Sequence, residues 1–146
     1  MSLETWAKNG WLRPHKITRQ EIADLLGIVE RDLKDARRDL SADWKFGIAY
    51  NAALKLCTIL LHASGYRADR LQAHFRTLQS LPLVLGAERA RDAGYLDRCR
   101  KIRNTVEYES AGVVTEAEAK ELIEFTKSLR KDVLAWLKKN HPELSP

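Results

Sequence analysis

Apolar residues recur three and four positions apart along most of the chain, the spacing of helices that bury one face. The first such run opens at Thr18, where Thr18 and Glu21 make the T-x-x-E signature of a capping box. Ile22, Leu25, Leu26, Val29, Leu33, Ala36 and Leu40 fall on one stripe, which predicts a helix to about Leu40. Gly27 lies inside it, costs about 1 kcal/mol relative to alanine, and is read as admitting a close neighbour. Ser41 caps a second helix, Ala42 to about Ser64, stopped by Gly65. Its apolar positions cover nearly the whole circumference, which places it in the middle of a bundle. Tyr50, Asn51, Lys55 and Thr58 are its polar members. Asn51 and Lys55 share a face, which either reaches solvent or lines a polar cleft.

Residues 68–80 predict a third, shorter helix with Leu71, His74, Phe75 and Leu78 on one side. Pro82 breaks it, Leu81–Leu85 reads as an apolar connector, and Gly86 marks a turn. A fourth helix runs from about Glu88 to about Thr105, with Leu96, Cys99, Ile102 and Val106 as its buried stripe. Gly112 marks a loop. Thr115 and Glu118 make a second capping box, and the last helix runs to about Asn140, ended by His141–Pro142. Residues 1–17 lack periodicity and read as a short, partly ordered N-terminal arm whose Trp6 and Trp11 pack on the body. No strand pattern is evident. The expectation is an all-α, up-and-down helical bundle of about five helices over residues 18–141.

Composition adds modest constraints. The chain has 146 residues, 45% of them hydrophobic, enough for the core of one domain. A net charge of +5 fits an anionic partner and equally a solvated basic surface. Cys57 and Cys99 sit in apolar patterns, as small core residues do. The N-terminus has no signal pattern, and Asn51 and Lys55 interrupt the best apolar run, Phe46–Leu61, so no membrane span is expected. The default setting is reduced and cytoplasmic. Gly-rich phosphate loops, H-E-x-x-H, C-x-x-C and G-x-S-x-G are absent from the sequence. Cys57 and His62 do not share a helical face, so neither a metal site nor a cofactor is expected.

The stretch Lys101–Tyr108, K-I-R-N-T-V-E-Y, raises a sharper question. Arg103 stacks over Leu96 and Cys99, at the margin of the buried stripe. A guanidinium there is costly unless it is paired or used. An intrahelical pair with Glu107 is the plain structural reading. The functional reading is phosphate binding, since Arg89, Arg91, Arg98, Arg100 and Lys101 surround it and clustered arginines bind phosphates bidentately.

Four segments together carry a family resemblance: VERDLKDARRDL, YNAALKLCTILLHASGYR, AHFRTLQSL and YLDRCRKIRNTVEY. Over roughly residues 17–137 the chain resembles the HEPN domain, a helical domain many of whose members are metal-independent ribonucleases. The resemblance implies a homodimer with a shared cleft, in which an arginine holds the scissile phosphate and a histidine moves a proton. Arg103 and Asn104 match the first two motif positions. Tyr108 stands where the histidine is expected, and a phenol of ordinary pKa ~10 is a poor base at neutral pH. The implied site is therefore Arg103, Asn104 and Tyr108, with Asn51, Lys55 and Arg100 as binding residues. His62 or His74 recruited from elsewhere would restore the missing proton carrier. The implied role is an RNA-binding or ribonuclease-related component of a toxin–antitoxin or nucleotidyltransferase-linked system, with a minimal nucleotidyltransferase as partner. Two other readings stay open. One is a helix-turn-helix DNA binder over Thr18–Arg38, turning at Gly27 and reading DNA with Glu30–Arg38. The other is a non-catalytic protein-interaction bundle.

Overall fold

Three long helices start where small hydroxyl side chains can close their first turn. Thr18 Oγ1 accepts from the Glu21 amide at 3.1 Å, Ser41 Oγ from the Trp44 amide at 3.3 Å, and Thr115 Oγ1 from the Glu118 amide at 3.1 Å. In the computed structural model these caps open α2 (Arg19–Asp35), α3 (Ala42–Ala63) and α7 (Glu116–Asn140). Before them lie α1 (Leu3–Lys8) and β1 (Leu12–Pro14). Between α3 and α7 come β2 (Tyr66–Ala68), α4 (Ala73–Gln79), α5 (Leu81–Leu85), a 3-10 turn at Ala87–Arg89, and α6 (Ala90–Tyr108). The structure describes residues 1–108 and 111–146, the side chains of Glu107 and Tyr108 excepted. The fold is an all-α helical bundle with one small two-stranded sheet.

α3 is the centre, as an all-round apolar helix should be. It packs chiefly against α2 and α7, and also touches α4, α5 and α6. Ala49, Ala52, Ala53, Leu56 and Ile59 are wholly buried. By length and composition alone α3 could cross a membrane, but 67% of its most apolar window is buried inside the protein. Its apolar surface is taken up by the core. At its start the Asp43 carboxylate accepts the Gly112 amide at 2.6 Å and the Val114 amide at 3.2 Å. That pins the loop entering α7 to the start of α3.

Several local expectations change. Arg19–Asp35 is one continuous helix through Gly27, so the two-helix DNA-binding unit is not formed. The helix stops at Asp35 rather than Leu40, the chain leaving through turns at Arg37 and Arg38. Gly27 admits no close neighbour either: it is exposed, and a Cβ there would meet nothing within 4 Å. Gly27→Ala therefore raises stability by about 0.5–1 kcal/mol, through a less flexible unfolded chain and better helix propensity. Urea denaturation monitored by circular dichroism checks this, and a loss of stability would mean a contact is missing from the account.

The arm is more ordered than its sequence implies. β1 pairs antiparallel with β2, matching Leu12 with Ala68 and Pro14 with Tyr66. Each strand has 3 residues, too short to show a period of two. Trp6 is buried with Leu12 and Leu61, as expected of a packing residue. Trp11 meets Trp6 edge-on at 5.8 Å, and the Arg76 guanidinium stands 3.8 Å from the Trp11 ring centroid. The apolar connector after α4 coils into the short helix α5, with Pro82 in its first turn, where proline is tolerated.

A basic cleft between α4 and α6

α6 presents Arg100 and Arg103 one helical turn apart, α3 presents Tyr50 and Lys55, and the short helix α4 presents His74 and Phe75. The Arg103 guanidinium carbon lies 5.6 Å from the Tyr50 ring centroid. Tyr50 is 1% exposed, so the ring is a fixed platform for the cation. Arg100 donates through Nε to Asp97 Oδ1 at 2.8 Å, and its guanidinium carbon lies 5.7 Å from the Phe75 ring centroid. A carboxylate one turn back and an aromatic ring of α4 thus hold it. Between α4, the loop before it and α6 lies an open cleft of about 570 Å³, lined by Arg70, Gln72, Ala73, His74, Phe75 and Arg100.

His74 stands exposed at the rim. Partial desolvation pushes its pKa below the ordinary imidazole value, and the positive charges of Arg103, Lys55 and Arg100 push it further. At neutral pH the ring is therefore uncharged, with a lone pair able to take a proton. Tyr50 behaves oppositely: burial drives its pKa far above the phenol range, against the pull of Arg103 and Arg100. Its hydroxyl stays protonated and, among the described residues, has no hydrogen-bond partner. Gln72, on the cleft wall, takes the left-handed conformation at φ 58° and opens α4 without a side-chain cap. That backbone costs about 1–2 kcal/mol in a residue with a Cβ, a strain placed where the loop turns into the cleft.

The expected site residues divide. Arg100 lines the cleft with His74, and the charges of Arg103, Lys55 and Arg100 all act on the His74 ring. Asn51, on α3 like Lys55, goes elsewhere: its Nδ2 donates to Asp32 Oδ2 at 2.7 Å. Asp32 is 5% exposed and also accepts from Arg31 at 3.1 Å, so Asn51 ties α2 to α3. Asn104 is half-buried on α6, about 100° round from Arg103. The side chains of Tyr108 and of Glu107, the suggested partner of Arg103, lie outside the described residues.

A second polar cluster was not legible in any spacing. The capping box expected at Thr18 forms only in its hydroxyl half. In α7 the Glu118 carboxylate returns to the Thr115 amide at 3.0 Å. At α2 the corresponding carboxylate of Glu21 bonds two histidines instead. Glu21 Oε1 meets His15 Nε2 at 2.9 Å, and Oε2 meets His62 Nδ1 at 2.7 Å. Burial works to raise the Glu21 pKa, but the hydrogen bonds from His62 and His15 outweigh it and hold it below the usual carboxylate range. No family model, curated protein or solved structure matches the chain.

Proposed function

We propose that the protein is HEPN-like and binds RNA in the cleft between α4 and α6, with His74 and Arg103 equipping it for metal-independent cleavage. The observation that carries this reading is the open cleft in which His74 stands with Arg70, Phe75 and Arg100, its imidazole within the fields of Arg103, Lys55 and Arg100. Arg70 and Arg100 line the open cleft, and with Lys55 and Arg103, whose charges act on His74, they attract a phosphodiester, whose oxygens guanidinium groups bind in pairs. A neutral His74 takes the proton from a ribose 2′-hydroxyl. The 2′-oxygen attacks phosphorus, the 5′-oxygen leaves with a proton from water, and a 2′,3′-cyclic phosphate remains. Arg103 offsets the charge that grows on the phosphoryl oxygens. In this scheme α4 supplies the histidine that the family resemblance places near the end of α6, where Tyr108 stands.

The homodimer and a minimal nucleotidyltransferase partner belong to the same proposal. Leu71, 81% exposed beside the cleft, supports a protein surface covering that edge. Both cysteines are buried free thiols, in keeping with a reducing cytoplasmic setting.

Fluorescence anisotropy with a labelled single-stranded RNA tests the binding half. Each phosphate neutralised contributes about −0.7 to the slope of log affinity against log salt. A Lys55→Ala, Arg100→Ala double variant should lose affinity and flatten the slope by roughly 1.4. An unchanged slope would place the RNA elsewhere.

A further inference from the structure

Two turns beyond Lys55 on α3, about 10 Å along the axis, His62 meets Glu21 of α2 and His15 of the arm. We propose that His15, Glu21 and His62 form a binding site for a divalent transition-metal ion of the zinc class. The site is separate from the cleft and does not depend on RNA chemistry.

The geometry is that of converging donors. His15 Nε2, His62 Nδ1 and a Glu21 carboxylate oxygen all lie within 4.8 Å of one another. The two imidazole rings lie 4.1 Å apart, between centroids, and reach the same carboxylate from different segments. Zinc bonds of about 2.0–2.2 Å at tetrahedral angles set ligand atoms about 3.3–3.5 Å apart. The present contacts of 2.7 and 2.9 Å need to open only slightly for an ion to replace the two shared protons. All three side chains are shielded, at 18–30% exposure, yet reachable from solvent. Two imidazoles and one carboxylate are the donors that zinc and its neighbours prefer, and hard calcium or magnesium sites use oxygen instead. Three protein ligands leave a fourth position for water or another small ligand.

The same contacts with His15 and His62 divert Glu21 from the capping box its position offers. Residues at functional or strained sites give up local bonds in this way. The cation of Arg67 on β2 acts on His62 and opposes, in part, the hold on a metal ion. Bound there, the ion would fasten the N-terminal arm to α2 and α3.

Titration of the full chain with zinc in a calorimeter, and with cobalt followed by visible absorption, tests the site. One equivalent should bind, and cobalt should give the intense visible bands of a four-coordinate ion. His15→Ala and Glu21→Gln should each weaken zinc by at least tenfold, the lower end of what even outer-shell changes cost. Both positions are outside the main core, so circular dichroism should show the bundle intact. His141→Ala, which removes the exposed His141–Glu143 pair, should leave affinity unchanged. No zinc binding by the parent overturns the proposal, as does loss of binding in His141→Ala with none in His15→Ala.

Discussion

Replacing His74 with alanine should slow RNA cleavage, measured with chelator present, by about 10²–10⁴-fold, the usual contribution of a positioned general base. Arg103→Ala should cost about 10²–10³-fold, as removal of one charge-stabilising donor does. The double variant should lose less than the product, since both groups serve one transition state. Tyr108→Phe should cut like the parent; if it fails while His74→Ala still cuts, the proton carrier has been misassigned. The pH profile supplies a readout that misfolding would not mimic. The reaction needs uncharged His74, so kcat/KM rises with pH through its pKa, which lies below the ordinary value of about 6.5. Removing the Arg103 cation should let that pKa climb, so residual activity in Arg103→Ala has its acid limb at higher pH. A parent protein that binds RNA without cutting it would retire the catalytic half and leave the binding half standing.

How much of this was legible beforehand depends on whether the cause is local. The bundle was, because capping hydroxyls at Thr18, Ser41 and Thr115 and the apolar stripes after them act within one or two turns. α3 announced its central place by apolar positions covering nearly its whole circumference. The end of α2 was less readable, because Ala36 still continues its apolar stripe although the backbone leaves the helix there. Arg103 was visible as a charge against an apolar margin. His74 was not, because beside Leu71, Phe75 and Leu78 it reads as one more face of a short amphipathic helix. Its meaning comes from the docking of α4 against α6, which no spacing encodes. Asn51 and Lys55 show the same limit: the i, i+4 spacing puts them on one side of α3, yet Asn51 meets Asp32 while Lys55 acts on His74. The His15–Glu21–His62 cluster draws on three segments, and each member has an innocent local explanation.

Leu56→Ala should destabilise the fold by about 3–5 kcal/mol, the upper part of the range for emptying a buried leucine site. The cost of such a change depends on how far the surroundings can collapse into the space. Leu56 is 0% exposed on a helix walled by α2, α6 and α7. Helices on several sides cannot all close on one gap, so the cavity should persist. At about 3 °C per kcal/mol for a chain of this size, the thermal midpoint should fall by roughly 10–15 °C. Leu71→Ala, at a position 81% exposed, should cost under about 0.5 kcal/mol and serves as the control. A loss below about 1 kcal/mol at Leu56 would mean that α3 is not the packed centre. The same helix carries Tyr50, beneath Arg103, and Lys55, whose charge acts on His74. α3 therefore supplies both the ring that Arg103 lies over and one of the charges acting on His74. Loosening that element should weaken RNA binding in Leu56→Ala even where the protein remains folded, whereas the acid limb, set by charges all still present, should stay near its parent position.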